Sequence, residues 1–237
     1  MRLGVLETGA PPKDLQGRFE RYPVMFRQLL GEEAYDWASF DVRRGQFPSS
    51  LDSCDAYLIT GSPAAAYDSK PWVLDLIAFL RAAKGKAALV GICFGHQVMA
   101  QAFGGRVIKS PKGWGIGLHR YTAMQRTPWM EGDDVIAVSA SHQDQVVEPP
   151  PGATVLAGSD FCPFGALRYG DQHALSIQLH PEFSADFSRA LIETRLGNPY
   201  PQAEGMAAIA SLGAPDDRAR VGRWINGFLK ERALDAG

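Results

Sequence analysis

Cysteine is scarce in this sequence, limited to Cys54, Cys93 and Cys162. An odd, widely spaced set builds no disulfide framework, and no two of the three stand at metal-ligand spacing. That excludes a zinc module and a disulfide-rich secreted scaffold, and it predicts a reducing, cytoplasmic setting. Long apolar runs are also missing. No stretch approaches the roughly 18 residues needed to cross a bilayer, and Glu7 falls too early for a secretory leader, so no membrane partner is expected. A surplus of one charge is absent as well: 24 Lys and Arg face 26 Asp and Glu, which offers nothing to nucleic acid or anionic lipid. There are no internal repeats and no low-complexity linker. What remains is an ordinary globular composition, 46% hydrophobic and 21% charged, in 237 residues, enough for one large domain with a substantial core.

In the first half, short apolar runs alternate with helical patterns. Strands are predicted over 2–7, 35–42, 55–60 and 87–90, and helices over 19–30, 72–83 and 97–103. The β-α-β-α order implies an α/β protein with a parallel sheet covered on both faces. Ligands bind such sheets at the carboxyl ends of strands. Gly61-Ser62-Pro63 and Cys93 both fall at such ends. The second half reads as strands over 105–110, 115–121, 135–140, 154–158, 165–169 and 174–179. These predict an antiparallel β insert lying against the main sheet. A helix over 183–196 ends at Gly197-Asn198-Pro199, a stop signal. The expected organisation is one domain over 1–197 and a C-terminal helical tail over 198–237 packed on it. In that tail Val221, Trp224, Ile225, Phe228 and Leu229 form an amphipathic stripe suited to packing on the domain or to docking a partner.

Gly91-Ile92-Cys93-Phe94-Gly95-His96-Gln97 carries the chemistry. A cysteine between a buried strand and a helix, flanked by glycines, sits on a sharp turn that holds its side chain clear of the backbone. The N–H groups at the helix start favour its thiolate. His180-Pro181-Glu182 supplies a base and a carboxylate two residues apart, on the same side of an extended segment stiffened by Pro181. Together they predict acyl transfer, with Cys93 as nucleophile, His180 as acid and base, and Glu182 fixing the imidazole. The tetrahedral intermediate needs two N–H donors. Those of Phe94, next to the nucleophile, and Ser62, in the neighbouring loop, are the candidates. No metal and no cofactor is required.

These stretches, with Ser141-His142-Gln143-Asp144-Gln145-Val146, closely resemble the class I glutamine amidotransferases of the Cys-His-Glu type. The likeness covers residues 2 to about 195. It extends to the stand-alone, GMP-synthase-like branch that includes plant γ-glutamyl peptidases. The resemblance implies a flavodoxin-like three-layer sandwich. It also implies cleavage of the γ-amide of glutamine or a γ-glutamyl compound through a γ-glutamyl thioester. By the same resemblance Gly61 belongs to the substrate loop, Gln97 contacts the substrate, and the backbone around Ser141, His142 and Gln143 holds its α-amino and α-carboxyl groups. Two departures stand out: Gly-Ser-Pro replaces the common Gly-Gly-Pro, and no synthetase domain follows the tail. The first expectation is therefore a self-contained hydrolase acting on a small γ-glutamyl substrate. The alternatives are a glutaminase subunit feeding ammonia to a separate synthase, and a non-catalytic or stress-type protein of related fold.

Other reactive side chains are assigned structural roles. His96 points into the fold one turn past the nucleophile, and His142 closes a strand. His119 and His173 are expected on the surface. Cys54 and Cys162 have no base in view, although Cys162 lies in a loop that could approach the site. Asp133-Asp134 and Asp216-Asp217 are expected as turns or caps. Gly113-Trp114-Gly115-Ile116-Gly117 lacks the strand-to-helix setting of a phosphate loop and is expected as a turn beside the site.

Overall fold

The structure, a computed structural model, describes residues 1–170 and 173–235. The last two residues of the predicted tail therefore lie outside the described residues. Strands β1 (Arg2–Glu7), β2 (Asp36–Asp41), β3 (Ala56–Ile59), β4 (Ala88–Ile92) and β11 (Ala174–Ile177) run parallel in the order β2-β1-β3-β4-β11. Their side chains alternate between two cores, as the period of a strand requires. Leu3, Val5, Leu58, Val90 and Ile92 enter one apolar cluster, while Leu6, Tyr57, Ile59 and Leu89 enter the other. Helix α1 (Tyr22–Leu30) and the C-terminal α6 (Arg218–Asp235) cover the first face. Helices α2 (Pro71–Ala83) and α3 (Phe94–Ala102) cover the second. This is the flavodoxin-like three-layer sandwich.

The antiparallel strands are arranged differently from expectation. Instead of lying against the parallel block, β10 (Ala166–Arg168), β9 (Thr154–Gly158), β6 (Gly115–Ala123) and β7 (Val135–His142) extend it into one nine-stranded sheet. Ala166 of β10 pairs directly with Ile177 of β11. The backbone donors of β11 would otherwise form an exposed sheet edge. Among the described residues only β5 (Arg106–Lys109) and β8 (Asp144–Glu148) form a separate ribbon, and Val107 and Val146 press it onto the α3 side.

Helix boundaries shift where proline and packing decide. The first helix begins at Tyr22 rather than Phe19, with Pro23 in its first turn and Phe19 held in a bridge to Gln16. The helix after the histidine, α4, spans Ala185–Glu193, with the Ser184 hydroxyl accepting from the Phe187 N–H at its start. Residues 198–217 contain an unforeseen helix, α5 (Gln202–Ser211), whose Ala208 and Ile209 pack with Ile116 of β6.

The apolar stripe of α6 is buried, with Val221, Trp224, Ile225, Phe228 and Leu229 in the same cluster as Leu3, Val5 and Phe26. Trp224 also donates its indole N–H to the Glu131 carbonyl. Trp224→Ala is expected to destabilise the fold by about 3–5 kcal/mol, read from denaturant melts. A loss under about 1 kcal/mol would mean that the helix contributes little to the core. No described helix is long and apolar enough to cross a membrane.

Candidate active site

The turn at Cys93 explains the glycines around it. Cys93 has φ 53° and ψ −101°, a left-handed conformation that costs a non-glycine residue about 1–3 kcal/mol. It is stabilised by its surroundings: the Cys93 N–H donates to the Ile177 carbonyl of β11, and its own carbonyl accepts from Gln97. Gly95 allows the new helix to lie on the sheet, since a Cβ there would stand 2.3 Å from the Ile59 carbonyl oxygen. Gly61 leaves room for the histidine, since a Cβ there would meet His180 Cε1 at 2.9 Å.

His180 follows β11, with its N–H donating to Ser139 of β7. Its Nδ1 donates to Glu182 Oε1 at 2.8 Å, and both residues are buried. The second ring nitrogen is thereby left for Cys93, with which the imidazole also interacts. Phe183 stacks on the imidazole, centroids 4.0 Å apart and planes 5° from parallel. Burial alone would lower the pKa of His180. The negative charges of Cys93 and Glu182, with hydrogen bonds to both, outweigh it and push the value up to about 10. The backbone of this segment is held from outside: Arg218 at the start of α6 donates to the carbonyls of Pro181 and Glu182 at 3.1 and 3.3 Å. Its neighbour Asp217 makes two bonds to Ala137 of β7.

A cavity of about 490 Å³ opens over these groups. Gly61, Ser62, Cys93, Gln97, Ser141, His142, Gln143 and His180 all line it, so the strand ends and loops singled out in the sequence converge. Two predicted residues stand behind it. Glu182 lies beneath His180. The Phe94 ring points into the core against Trp72, leaving its backbone N–H at the head of α3, where a first-turn N–H has no intrahelical acceptor. Gln97 donates to the Asp144 carbonyl and to Gln178 Oε1, at 2.8 and 3.2 Å. The Ser141 carbonyl oxygen lies 4.0 Å from Cys93 Sγ. Trp114, from the glycine-rich segment, also lines the cavity.

Arg195 is a residue that the sequence pattern did not single out. It lines the cavity and donates from Nη1 to the Tyr200 hydroxyl at 2.8 Å and to Ser141 Oγ at 3.3 Å. Among the described residues it has no carboxylate partner. A basic residue at the end of a predicted helix is an ordinary complement to the helix dipole, which hid it. The only signal was its place just before a helix stop.

The remaining polar residues have defined places. His96 is fully buried, its Nδ1 paired with Ser176 Oγ, and burial pushes its pKa down to about 3. Burial, with His119 nearby, does the same to His142. His119 is not a surface residue: it is half-buried against Phe161, and burial lowers its pKa. His173 is half-buried too, because it lies just ahead of β11 inside the widened sheet. Cys54 and Cys162 are buried, and neither lines the cavity. Burial raises the Cys162 thiol to about 11, despite a hydrogen bond with Tyr121. Among the described residues, no three His, Cys, Asp or Glu side chains form a metal-binding group.

A parallel sheet carrying a buried cysteine on its central strand–helix turn, with a histidine–carboxylate pair from the next strand, defines a class of α/β proteins built for acyl transfer. Glutamine amidotransferase class-I is the family description that matches residues 35–194. The chain belongs to the class I glutamine amidotransferase family. It is 34% identical over 182 residues to gamma-glutamyl peptidase 3 of Arabidopsis thaliana, covering 73% of each chain. It is 36% identical over 104 residues to a glutamine-hydrolyzing GMP synthase subunit of Methanopyrus kandleri, 41% of this chain and 53% of that one. The solved structure of a glutamine amido transferase from Methylobacillus flagellatus superposes with a TM-score of 0.73 at 25% identity, covering 95% and 94% of the two chains.

Proposed function

We propose that the protein hydrolyses the γ-glutamyl amide bond of glutamine or a γ-glutamyl compound, with Cys93, His180 and Glu182 as the working triad. The observation that carries this reading is the buried His180–Glu182 pair held against Cys93 in the floor of the cavity. Cys93 Sγ attacks the γ-carbonyl carbon, and the negative oxygen is received by the N–H groups of Ser62 and Phe94. The carbon–nitrogen bond breaks as His180 passes its proton to the departing amine, leaving a γ-glutamyl thioester. Acylation removes the Cys93 charge that helps hold His180 protonated, so the imidazole can then take a proton from water. Hydroxide attack on the thioester releases glutamate and restores the thiolate–imidazolium pair.

Arg195 is placed in this scheme as the receptor of the substrate α-carboxylate. In a γ-glutamyl group that carboxylate lies four bonds, roughly 5 Å, from the reacting carbon. Ser141 spans a similar gap, with its carbonyl near Sγ and its hydroxyl on Arg195. Asp144, also lining the cavity, is suited to the α-amino group. Arg195→Met is expected to raise KM about 10- to 100-fold, with a much smaller effect on a substrate lacking the α-carboxylate. Equal losses on both substrates would remove Arg195 from this role.

Glutamate release measured by mass spectrometry, with glutamine and γ-glutamyl peptides as substrates and Cys93→Ala as control, tests the whole scheme. Turnover of glutamine alone, raised by an added synthase, would favour the ammonia-delivering role suggested by the GMP synthase relative. Burial of the α6 stripe supports the self-contained hydrolase, because that surface is occupied by the domain itself.

A further inference from the structure

Next to the substrate cavity lies a second one of about 620 Å³, at the carboxyl ends of β1 and β2. The two share lining along two short segments of chain. Ala10 lines both; Pro11 faces the second and Pro12 the first; Arg21 faces the second and Tyr22 the first. The second cavity is rich in arginine, lined by Arg18, Arg21, Arg43 and Arg44. Buried Glu7 pairs with Arg21 and, at 3.7 Å, with Arg43. Asp41 pairs with Arg43 at 2.9 Å and Arg44 at 3.5 Å. Arg18 lies over the Phe19 ring at 4.8 Å and has no carboxylate partner among the described residues. Even counting Glu20, which also lines the cavity, four arginines meet three carboxylates, and the surplus faces solvent in a concave site.

The side of the substrate cavity that faces this second one includes the rings packed on His180. Phe183 stacks on His180, and Tyr22 packs on Phe183 with centroids 5.6 Å apart. Phe183 and Tyr22 thus line the substrate cavity as an apolar sill beside the imidazole that protonates the leaving amine, and Tyr22 directly follows Arg21 of the second cavity in the chain. Ammonia has no use for such a sill or for cations beyond it. We propose that the second cavity is a leaving-group subsite that binds the free carboxylate of a γ-glutamyl peptide through Arg18 and Arg44. The subsite rests on the hydrolase reading above and narrows its substrate class to γ-glutamyl peptides with an anionic C-terminus.

The test uses the full chain carrying Cys93→Ala and calorimetric binding of γ-glutamyl-alanyl-glycine against its C-terminal amide, which differ by one negative charge. The free acid is expected to bind about three- to tenfold more tightly, and the ratio is expected to shrink at high salt. In an Arg18→Gln/Arg44→Gln variant the ratio is expected to fall to about one; being internal, it is insensitive to a general loss of folded protein. A ratio of one before mutation, or one that survives the double substitution, overturns the subsite. Because binding is measured without turnover, a preserved ratio beside absent glutamate release would overturn the hydrolase reading and leave the subsite standing.

Discussion

Cys93→Ala is expected to lower kcat for glutamate release by about 10⁴- to 10⁶-fold, the scale of removing a nucleophile from a unit whose members act together. In the proposed scheme His180 and the two N–H donors cannot substitute for the sulfur, because there the leaving amine departs only after a covalent bond forms to Sγ. The fold is expected to survive, since alanine meets the same positive φ as cysteine at this position and removes only one buried sulfur. The matching observation is acid-quenched intact mass, with a γ-glutamyl adduct on the parent chain during turnover and none on the variant. Activity within tenfold of the parent, from a variant that melts normally, would sink the covalent route.

Glu182→Gln carries the second largest effect, about 10²- to 10⁴-fold in kcat. The glutamine keeps the shape and can still accept from Nδ1, so any loss reports charge. Removing that negative charge removes one of the influences raising the His180 pKa. Rate against pH is therefore expected to fall on the alkaline side at a lower pH than in the parent, where the limit lies toward about 10. The same shift bears on stability. A histidine whose pKa is raised on folding stabilises the protein fully below its unfolded value of 6.5, and the contribution fades as pH climbs toward about 10. In the variant that fading is expected at lower pH, measurable by denaturant melts across the range. An unchanged alkaline limb would show that Glu182 acts on His180 by position alone.

The sequence disclosed the elements in which composition and geometry agree. Gly91, Cys93 and Gly95 mark a turn that few other residues could make, and the fully buried strands of the parallel block read as apolar runs. Arrangement was harder to read. Whether β6, β7, β9 and β10 stack on the sheet or extend it depends on edge-to-edge pairing, and alternation alone cannot tell one from the other. Helix α5 was hidden by its alanine-rich sequence, which gives no sharp apolar face. Strand β8 was hidden inside a stretch valued for its resemblance to a substrate loop. In the site, Cys93, His180 and Glu182 were legible because their spacing is fixed by one turn and one extended tripeptide. Arg195, Tyr200 and Ser141 meet only through the packing of α4, α5 and β7, and no local pattern announces that.

The path of α6 has a consequence for how the molecule comes into being. Its apolar side packs with Leu3 and Val5, so a helix made more than 200 residues after β1 closes over that strand. Until then that face of the sheet is covered only in part, by α1, although β4, Cys93, His180 and Glu182 have already emerged. Arg218 arrives later still to grip the Pro181 and Glu182 carbonyls. A nascent chain is thus expected to expose apolar surface, and to need shielding from aggregation, until α6 clears the ribosome. Reactivity of Cys93 toward a γ-glutamyl substrate would then appear late and all at once, as a mark of chains in which α6 has docked.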